Sequence, residues 1–445
     1  MSPPRTVVSL EPLGAEAVMK LAEAPTNIPG LGDNMVVDLS APVGPGVLAR
    51  GAELHRRLCA HPPIRDGLGA MSATPLGAGA APLYFRVVAA AADALPWEEL
   101  YADDHGFLAL DPRWPVARIA RRARPVVERV FAGELTLVAV LSAAGRSGLA
   151  QARALLEAVS SQDGRAVGAR LVVISAEDAV LKAVAAAALP YAQSQPMAND
   201  AAGLARQIAA ANPDVLHLLA HGGQVMPGVS TLVFADAADL LSEAPAGSVS
   251  LQLANIIQGL LGADPWLVVL AACESAAATD TAGMVTGGAL AHEIALGGVP
   301  AVLGMRRLVD VTAADRCVQA LYPAVLADVR AAAEATDHDG EIIDWAGALT
   351  GARAALAGAD PAQLDGWADP VLYVGCEEFR VRAARLPGDA LSYADLLGER
   401  DALQRYLSSV DGIDPTVAAK VRRRVADLDA ELARVLAAAP LAAAP

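Results

Sequence analysis

The hydrophobic pattern changes character near residue 134. Before that point, apolar runs are short and interrupted. Residues 1–45 are rich in Pro and Gly, with brief apolar stretches such as Met35–Leu39, and read as a loosely structured lead-in with one or two strands. Leu48, Leu54 and Leu58 recur at helical spacing over 46–60, and 61–82 is a Gly/Pro/Ala stretch that reads as loop. Leu83–Val88 and Gly106–Leu110 read as short strands, and 83–110 is expected to supply short antiparallel additions to a sheet. Arg118–Arg124 is a basic cluster, for which a solvated face or charged linker is the plain reading.

From Leu135 the pattern is regular. Leu135–Leu141, Leu171–Ser175, Val215–Ala220, Trp266–Ala272, Val299–Leu303 and Pro370–Gly375 are apolar runs of the kind that forms strands buried on both faces. Helical spacing occupies Leu149–Val159, Ala179–Leu189, Ala201–Ala211, Val249–Leu261, Gly287–Leu296, Ala313–Ala333 and Trp345–Leu356, and Thr231–Ala235 reads as a short edge strand. Strands alternating with helices predict right-handed βαβ units, hence an α/β fold with a mostly parallel sheet flanked by helices on both faces. The tail, 390–437, is leucine-spaced, charged and broken at Gly412–Pro415, which predicts a C-terminal helical hairpin of Ala390–Leu407 against Val417–Leu436. The expected organisation is an N-terminal accessory part, 1–130, a main α/β domain, 131–385, and the hairpin, 386–445.

Composition narrows the function classes. The chain of 445 residues is 54% hydrophobic and 19% charged, enough for a large core, and much of its apolar content is alanine, which favours helices packed closely on a sheet. A formal net charge of -16 argues against nucleic-acid binding, which needs a basic patch, and favours solubility and basic partners. Cys59, Cys273, Cys317 and Cys376 form no CxxC pair, so zinc and thioredoxin-type readings fail, and scattered thiols fit a reducing cytosol. The start, MSPPRTVVSL, lacks the apolar core of a signal peptide, and no apolar run is long enough for a membrane span. A cytoplasmic protein without membrane, metal or cofactor is expected.

In open α/β sheets, chemistry collects at the carboxyl ends of the strands. Two strand tips stand out. Val215-Leu216-His217-Leu218-Leu219-Ala220 runs into His221-Gly222-Gly223, and Trp266-Leu267-Val268-Val269-Leu270-Ala271-Ala272 runs into Cys273-Glu274-Ser275. A cysteine attacks as its thiolate, and a neighbouring imidazole can take its proton and return one to a leaving amine. Glycines after His221 let backbone approach a substrate carbonyl, so the N–H groups of Gly222 and Cys273 are candidate oxyanion donors. Taken singly, each residue has a plainer reading: Cys273 as inert core, His221 as a turn residue, and His217, four residues deeper in its strand, as core. Two strand-tip motifs together favour a His221–Cys273 dyad. An amidotransferase-like elbow is disfavoured, because Cys273 has no flanking glycines and the histidine precedes it.

Five blocks resemble the CHAT family, a caspase-like domain of the caspase–separase clan: Leu95–Leu100 with Gly106–Leu110, Leu216–Gly223, Leu267–Ser275, Gly297–Met305 and Trp367–Tyr373. His221 and Cys273 lie 52 residues apart, close to the roughly 50 of caspases. The resemblance, over about residues 45–375, implies a caspase-type fold and a His–Cys dyad cysteine peptidase, with His221 and Cys273 in the two catalytic positions. It departs from the family in having no tetratricopeptide array before the domain, and Arg306-Arg307-Leu308 stands where an aromatic and a proline are often found.

The resemblance also bears on the substrate. Asp310, in Leu308-Val309-Asp310-Val311-Thr312, is similar to the aspartate of a separase segment and implies a basic P1 residue. Arg146 lies where caspases place an arginine and implies an acidic P1. Asp310 is the first choice, and it could also simply cap the helix after it; Asp236 and Asp239 are weaker candidates. Ser275–Thr286 is small and polar, so it reads either as a mobile loop or as an ordinary strand–helix connection. A protein substrate is implied, possibly gasdermin-like, in bacterial immunity or programmed cell death. The hairpin is a candidate for binding an activator or for self-association. The competing reading is a catalytically silent scaffold with the same fold.

Overall fold

A computed structural model describes residues 5–383 apart from 14–15, 43, 74, 76–79, 227–228, 242–246, 253–255, 257–259, 261–262, 264, 273–274, 276–278, 282–283, 288, 308–310, 336–339 and 365, together with 400, 403–404, 407 and 415–438. The strands, in chain order, are β1 (Thr6–Leu13), β2 (Glu16–Glu23), β3 (Met35–Val37), β4 (Leu83–Val87), β5 (Tyr101–Ala102), β6 (Gly106–Phe107) and β7 (Val116–Phe131). There follow β8 (Thr136–Leu141), β9 (Arg170–Ser175), β10 (Ala192–Pro196), β11 (Val215–Leu219), β12 (His221–Met226), β13 (Val229–Phe234) and β14 (Val249–Gln252). The last are β15 (Leu267–Ala271), β16 (Thr279–Thr281), β17 (Met284–Gly287), β18 (Ala301–Met305), β19 (Glu341–Ile342) and β20 (Pro370–Ala383).

The main sheet runs β10-β9-β8-β11-β15-β18-β20-β7-β4-β1-β2-β3, with β19 paired to β20. β10 through β18 are mutually parallel. β20 lies antiparallel to β18, and β20, β7, β4 and β1 form a second parallel block of opposite sense, closed by antiparallel β2 and β3. The expected α/β architecture is therefore present: a mostly parallel sheet with helices on both faces. His217 of β11 meets Gln151 of the helix Leu149–Ser160 and Tyr322 of the helix Val311–Glu334, whereas Leu216 and Leu218 line a small void with Ala205 and Ile208 of the helix Ala201–Ala211. All of β11, β15 and β18 is buried, which explains their unbroken apolar sequences.

Several local expectations need correction. The lead-in is not loose: β1 is buried throughout Thr6–Leu10, and Ala17, Met19 and Leu21 of β2 bury one alternating face into the sheet core. β4 joins the main sheet in parallel rather than as an antiparallel addition, and only the hairpin β5–β6 fits that expectation. Val249–Gln252 is strand β14, not the start of a helix, because it pairs with β13 in a three-stranded sheet β12-β13-β14. The sixth strand extends to Ala383. Between the nucleophile motif and the helix Leu290–Leu296, β16 and β17 form an antiparallel hairpin. At the C-terminus the helix Pro415–Ala438 is present, and Arg400 reaches its Asp429 at 3.6 Å; most of the partner segment 390–407 lies outside the described residues.

At Arg118 the solvated reading of the Arg118–Arg124 cluster fails, while the side chains of 121–125 lie outside what the structure describes. Arg118 is wholly buried in β7, and all five of its guanidinium N–H bonds find acceptors: the Glu98 carboxylate through Nε and Nη2, Asp93 Oδ1 and carbonyl, and the Leu95 carbonyl. Asp93 also accepts from Tyr373 Oη at 2.8 Å and meets His292 Nδ1 at 3.2 Å. Burial pushes both carboxyls up, but the His292 hydrogen bond and Arg118 charge outweigh it at Asp93, and Arg118 outweighs it at Glu98, so both sit below the usual carboxylate range. Nearby, Glu99 binds Arg50 at 2.8 Å and Arg306 at 2.7 Å, and Asp369 binds Arg307 at 2.6 Å. These pairs form an ionic seam where the two parallel blocks meet.

Candidate active site

The chain order of the parallel block defines a crevice. From β8 the chain proceeds to β9 and β10 on one side, then returns to β11 on the other side of β8. Connections leaving β8 and β11 therefore diverge, and the gap at their carboxyl ends is where ligands bind in open α/β sheets.

Both walls of that gap are fixed. After β8, Ser142 Oγ donates to the Ala235 carbonyl at 2.6 Å, while its N–H donates to the Leu219 carbonyl at 3.3 Å. Glu177 accepts from Ser147 Oγ at 2.5 Å and from Gly148 N–H at 2.9 Å, and Arg146 N–H donates to the Ala143 carbonyl at 3.1 Å. On the other wall, β11 ends at Leu219, and after Ala220 the chain enters β12, where His221 pairs with Val233 and Gly222 with Leu232. His221 thus stands where the chain leaves the main sheet for the small one.

The imidazole of His221 crosses the gap. Its Nε2 lies 2.6 Å from the Ala144 carbonyl oxygen. A carbonyl can only accept, so Nε2 must carry the proton, and in the neutral ring Nδ1 keeps its lone pair. His221 is half-buried and Gly222 exposed, so the base and the candidate oxyanion donor both reach solvent.

β11 and β15 are adjacent and in parallel register, with Leu219 opposite Ala271. In sequence, His221 follows the first of these residues by two positions and Cys273 follows the second by two. Cys273 itself lies outside the described residues, as does Glu274. The flanking residues are fixed: Ala272 is buried, and Ser275, also buried, donates to the Leu270 carbonyl at 3.3 Å and accepts from Met305 N–H at 2.9 Å.

Of the two P1-pocket candidates, Asp310 lies outside the described residues. Arg146 is half-buried in the loop that holds His221, two residues beyond Ala144, and its guanidinium makes no ion pair among the described residues. Asp236 and Asp239 cap a turn: Asp236 Oδ1 accepts from Ala238 and Asp239 N–H, and Asp239 Oδ2 from Asp236 and Ser248. Their carboxylates are used internally.

His217 is core, as its position inside the strand suggests. Nε2 donates to Gln151 Oε1 at 2.8 Å and Nδ1 accepts from Tyr322 Oη at 2.9 Å, both partners being buried. Burial pushes its pKa down to about 3, so it is neutral at pH 7. Among the described residues, no group of three His, Cys, Asp or Glu could hold a metal ion, and no helix is long and apolar enough to cross a membrane.

The sequence pattern did not reveal Ala144, Glu177 or Ser142. Ala144 acts through its backbone carbonyl, which leaves no mark on residue type. Ser275 was visible inside its motif, but without a role. Compared with known families, residues 48–349 match the model of the CHAT domain. No curated protein matches the chain.

Proposed function

The chain belongs to the CHAT-domain family, a caspase-like fold family, and we propose that it is a cysteine endopeptidase working through a His221–Cys273 dyad. The observation that carries this reading is the His221–Ala144 hydrogen bond. It holds the ring across the topological crevice in the tautomer that leaves Nδ1 as base. The β11–β15 register supports Cys273 as the neighbour of that base.

In the proposed reaction, Nδ1 takes the proton of the Cys273 thiol, and the thiolate attacks the scissile carbonyl carbon. The oxyanion is received by Gly222 and Cys273 N–H groups. The C–N bond then breaks, the amine leaves with the proton from His221, and a thioester remains. Water, deprotonated by His221, hydrolyses the thioester and frees the thiolate.

For the P1 side chain, the first reading is basic, through Asp310. The second is acidic, and it has a specific observation behind it: the Arg146 guanidinium, in no ion pair among the described residues, stands in the loop that orients His221. In either case the sign of the pocket charge should dominate, because a guanidinium–carboxylate contact is bidentate and directional. The proposed substrate is a protein of gasdermin-like kind, cut in the cytoplasm during bacterial defence. The C-terminal helical segment is the proposed site for an activator or a second copy.

The test uses wild type, Cys273→Ala and His221→Ala against fluorogenic peptides that differ only at P1: Arg, Lys, Asp and Leu. Cleavage after Arg or Lys that both variants lose supports the dyad and Asp310. Cleavage after Asp keeps the dyad and moves the pocket to Arg146. Activity that survives in Cys273→Ala overturns the reading, and silence on every peptide, with activating lysate added, favours a scaffold.

A further inference from the structure

Ser275 is the first described residue after Cys273, and its hydrogen bonds are unusual for a serine at the end of a strand. The side chain is buried, 2% exposed, so its hydroxyl must be satisfied within the protein. It is satisfied twice. The O–H donates to the Leu270 carbonyl on β15, at 3.3 Å, and the oxygen accepts the Met305 N–H at the end of β18, at 2.9 Å. The backbone is tied as well: Ser275 N–H donates to the Ala272 carbonyl at 3.4 Å, and Ser275 carbonyl accepts from Ala291 N–H at 2.9 Å, at the start of the helix Leu290–Leu296.

Three separate elements therefore converge on this residue within two positions of Cys273. The β15–β18 register covers Leu267–Val269 opposite Ala301–Leu303 and extends no further. Beyond Val269, the Ser275 hydroxyl is the bridge that continues the connection of these strands toward their carboxyl ends. Met305 in turn precedes Arg306 and Arg307, which are fixed by Glu99 and Asp369 of the seam.

We infer that Ser275 is a positioning residue for the Cys273 nucleophile: its hydroxyl anchors the chain two residues after Cys273 to the ends of β15 and β18. The inference rests on Cys273 being the nucleophile. A hydroxyl is needed because the site demands a donor toward one strand and an acceptor toward the other, which neither alanine nor valine offers. Removing it leaves the Leu270 carbonyl and the Met305 N–H buried without this partner. A displaced thiol would lose proton transfer to His221, and with it its reactivity.

The test is alkylation of Cys273 by iodoacetamide between pH 5 and pH 9, followed by peptide mass spectrometry so that Cys59, Cys317 and Cys376 are read separately. Across this range Ser275→Ala is expected to react at least about tenfold more slowly at Cys273 than wild type. Because Ser275→Ala could fail to fold, Ser275→Thr and Ser275→Val form a second, isosteric pair that differs only in the hydroxyl. Thr is expected to track wild type more closely than Val in both the alkylation profile and peptide cleavage. A wild-type profile in Ser275→Ala, or indistinguishable Thr and Val variants, overturns the inference. Cys273→Ala separates the two levels: lost cleavage there with an unchanged Ser275→Ala removes only the Ser275 role, whereas retained cleavage removes the dyad and the inference with it.

Discussion

The two polar interiors of this sheet are built in opposite ways. Under the candidate site, β11 carries His217, and its partners Gln151 and Tyr322 make a buried network with no net charge. At the seam between the parallel blocks, Arg118 is buried with full charges, Asp93 and Glu98, on either side. The first network needs only matched donors and acceptors. The second needs matched charges, because an ion left alone in such a place costs several kcal/mol. The region around the candidate site is held by neutral groups, backbone carbonyls and the Glu177 carboxylate, whereas paired charges join the two blocks. Substitutions should therefore separate activity from stability along the same line.

The largest separation is expected at His221. Its ring is half-buried and, among the described residues, its one side-chain hydrogen bond is to Ala144. His221→Ala should lower kcat/KM by about a thousandfold or more, while Tm moves by less than about 3 °C. Thermal melts beside peptide cleavage check both numbers. A large loss of Tm would mean that the histidine is a structural post.

Arg118 should show the reverse. Arg118→Met removes the guanidinium that binds both Asp93 and Glu98 directly, and is expected to cost about 3–5 kcal/mol in urea unfolding. The uncompensated carboxyls are the reason, so combining it with Asp93→Asn and Glu98→Gln should recover part of the loss. If the triple variant is no better than the single one, lost packing rather than stranded charge explains the seam.

That contrast also explains what was legible in the sequence. The parallel block was readable because strands buried on both faces must be apolar throughout, as in β8, β11 and β15. The His221 and Cys273 tips stood out in the sequence because a histidine or cysteine ending such an apolar run breaks its pattern. β1 and β2 were expected only as one or two unplaced strands in a loose lead-in, because Pro and Gly surround them, β1 is buried without alternation over Thr6–Leu10, and β2 alternates only over Ala17–Leu21. Arg118 was misread because a charge run in sequence carries no sign of a partner, and Asp93 and Glu98 lie 25 and 20 residues away. The Ala144 carbonyl had no signature at all.

The neutral network makes its own prediction. His217 is held at a pKa of about 3 by burial, against an ordinary 6.5. A base whose folded pKa is depressed stabilises the fold fully above its unfolded pKa. That contribution is lost as pH falls from about 6.5 toward 3. Between pH 7 and pH 4 the loss from this one group should be about 3 kcal/mol. His217→Gln, which does not titrate, should show a flatter stability profile over that interval in urea titrations. Parallel profiles for the two proteins would place the acid sensitivity elsewhere.

The smallest expected effect tests whether unpaired charge is tolerated where the seam's pairing is missing. Asp328, on the helix Val311–Glu334, is pushed up to about 7, first by burial and then by the charge of Asp344. Asp344 caps the helix Trp345–Ala357 through Gly347 N–H at 2.9 Å, and burial raises its pKa too. For an acid with a raised folded pKa, the fold favours the protonated form. Its stabilising contribution is complete below the unfolded value near 4 and is lost as pH rises through 7. Asp328→Asn should therefore stabilise the protein at pH 8 and leave it unchanged at pH 4. Asp328 is only partly buried, so solvent screening reduces the gain to about 1 kcal/mol. Asp344→Asn keeps a capping oxygen and should give part of the same gain by relieving Asp328. If neither variant differs from wild type at pH 8, the helix layer tolerates its carboxyls without a partner, and charge pairing at the seam answers a demand peculiar to that deeper site.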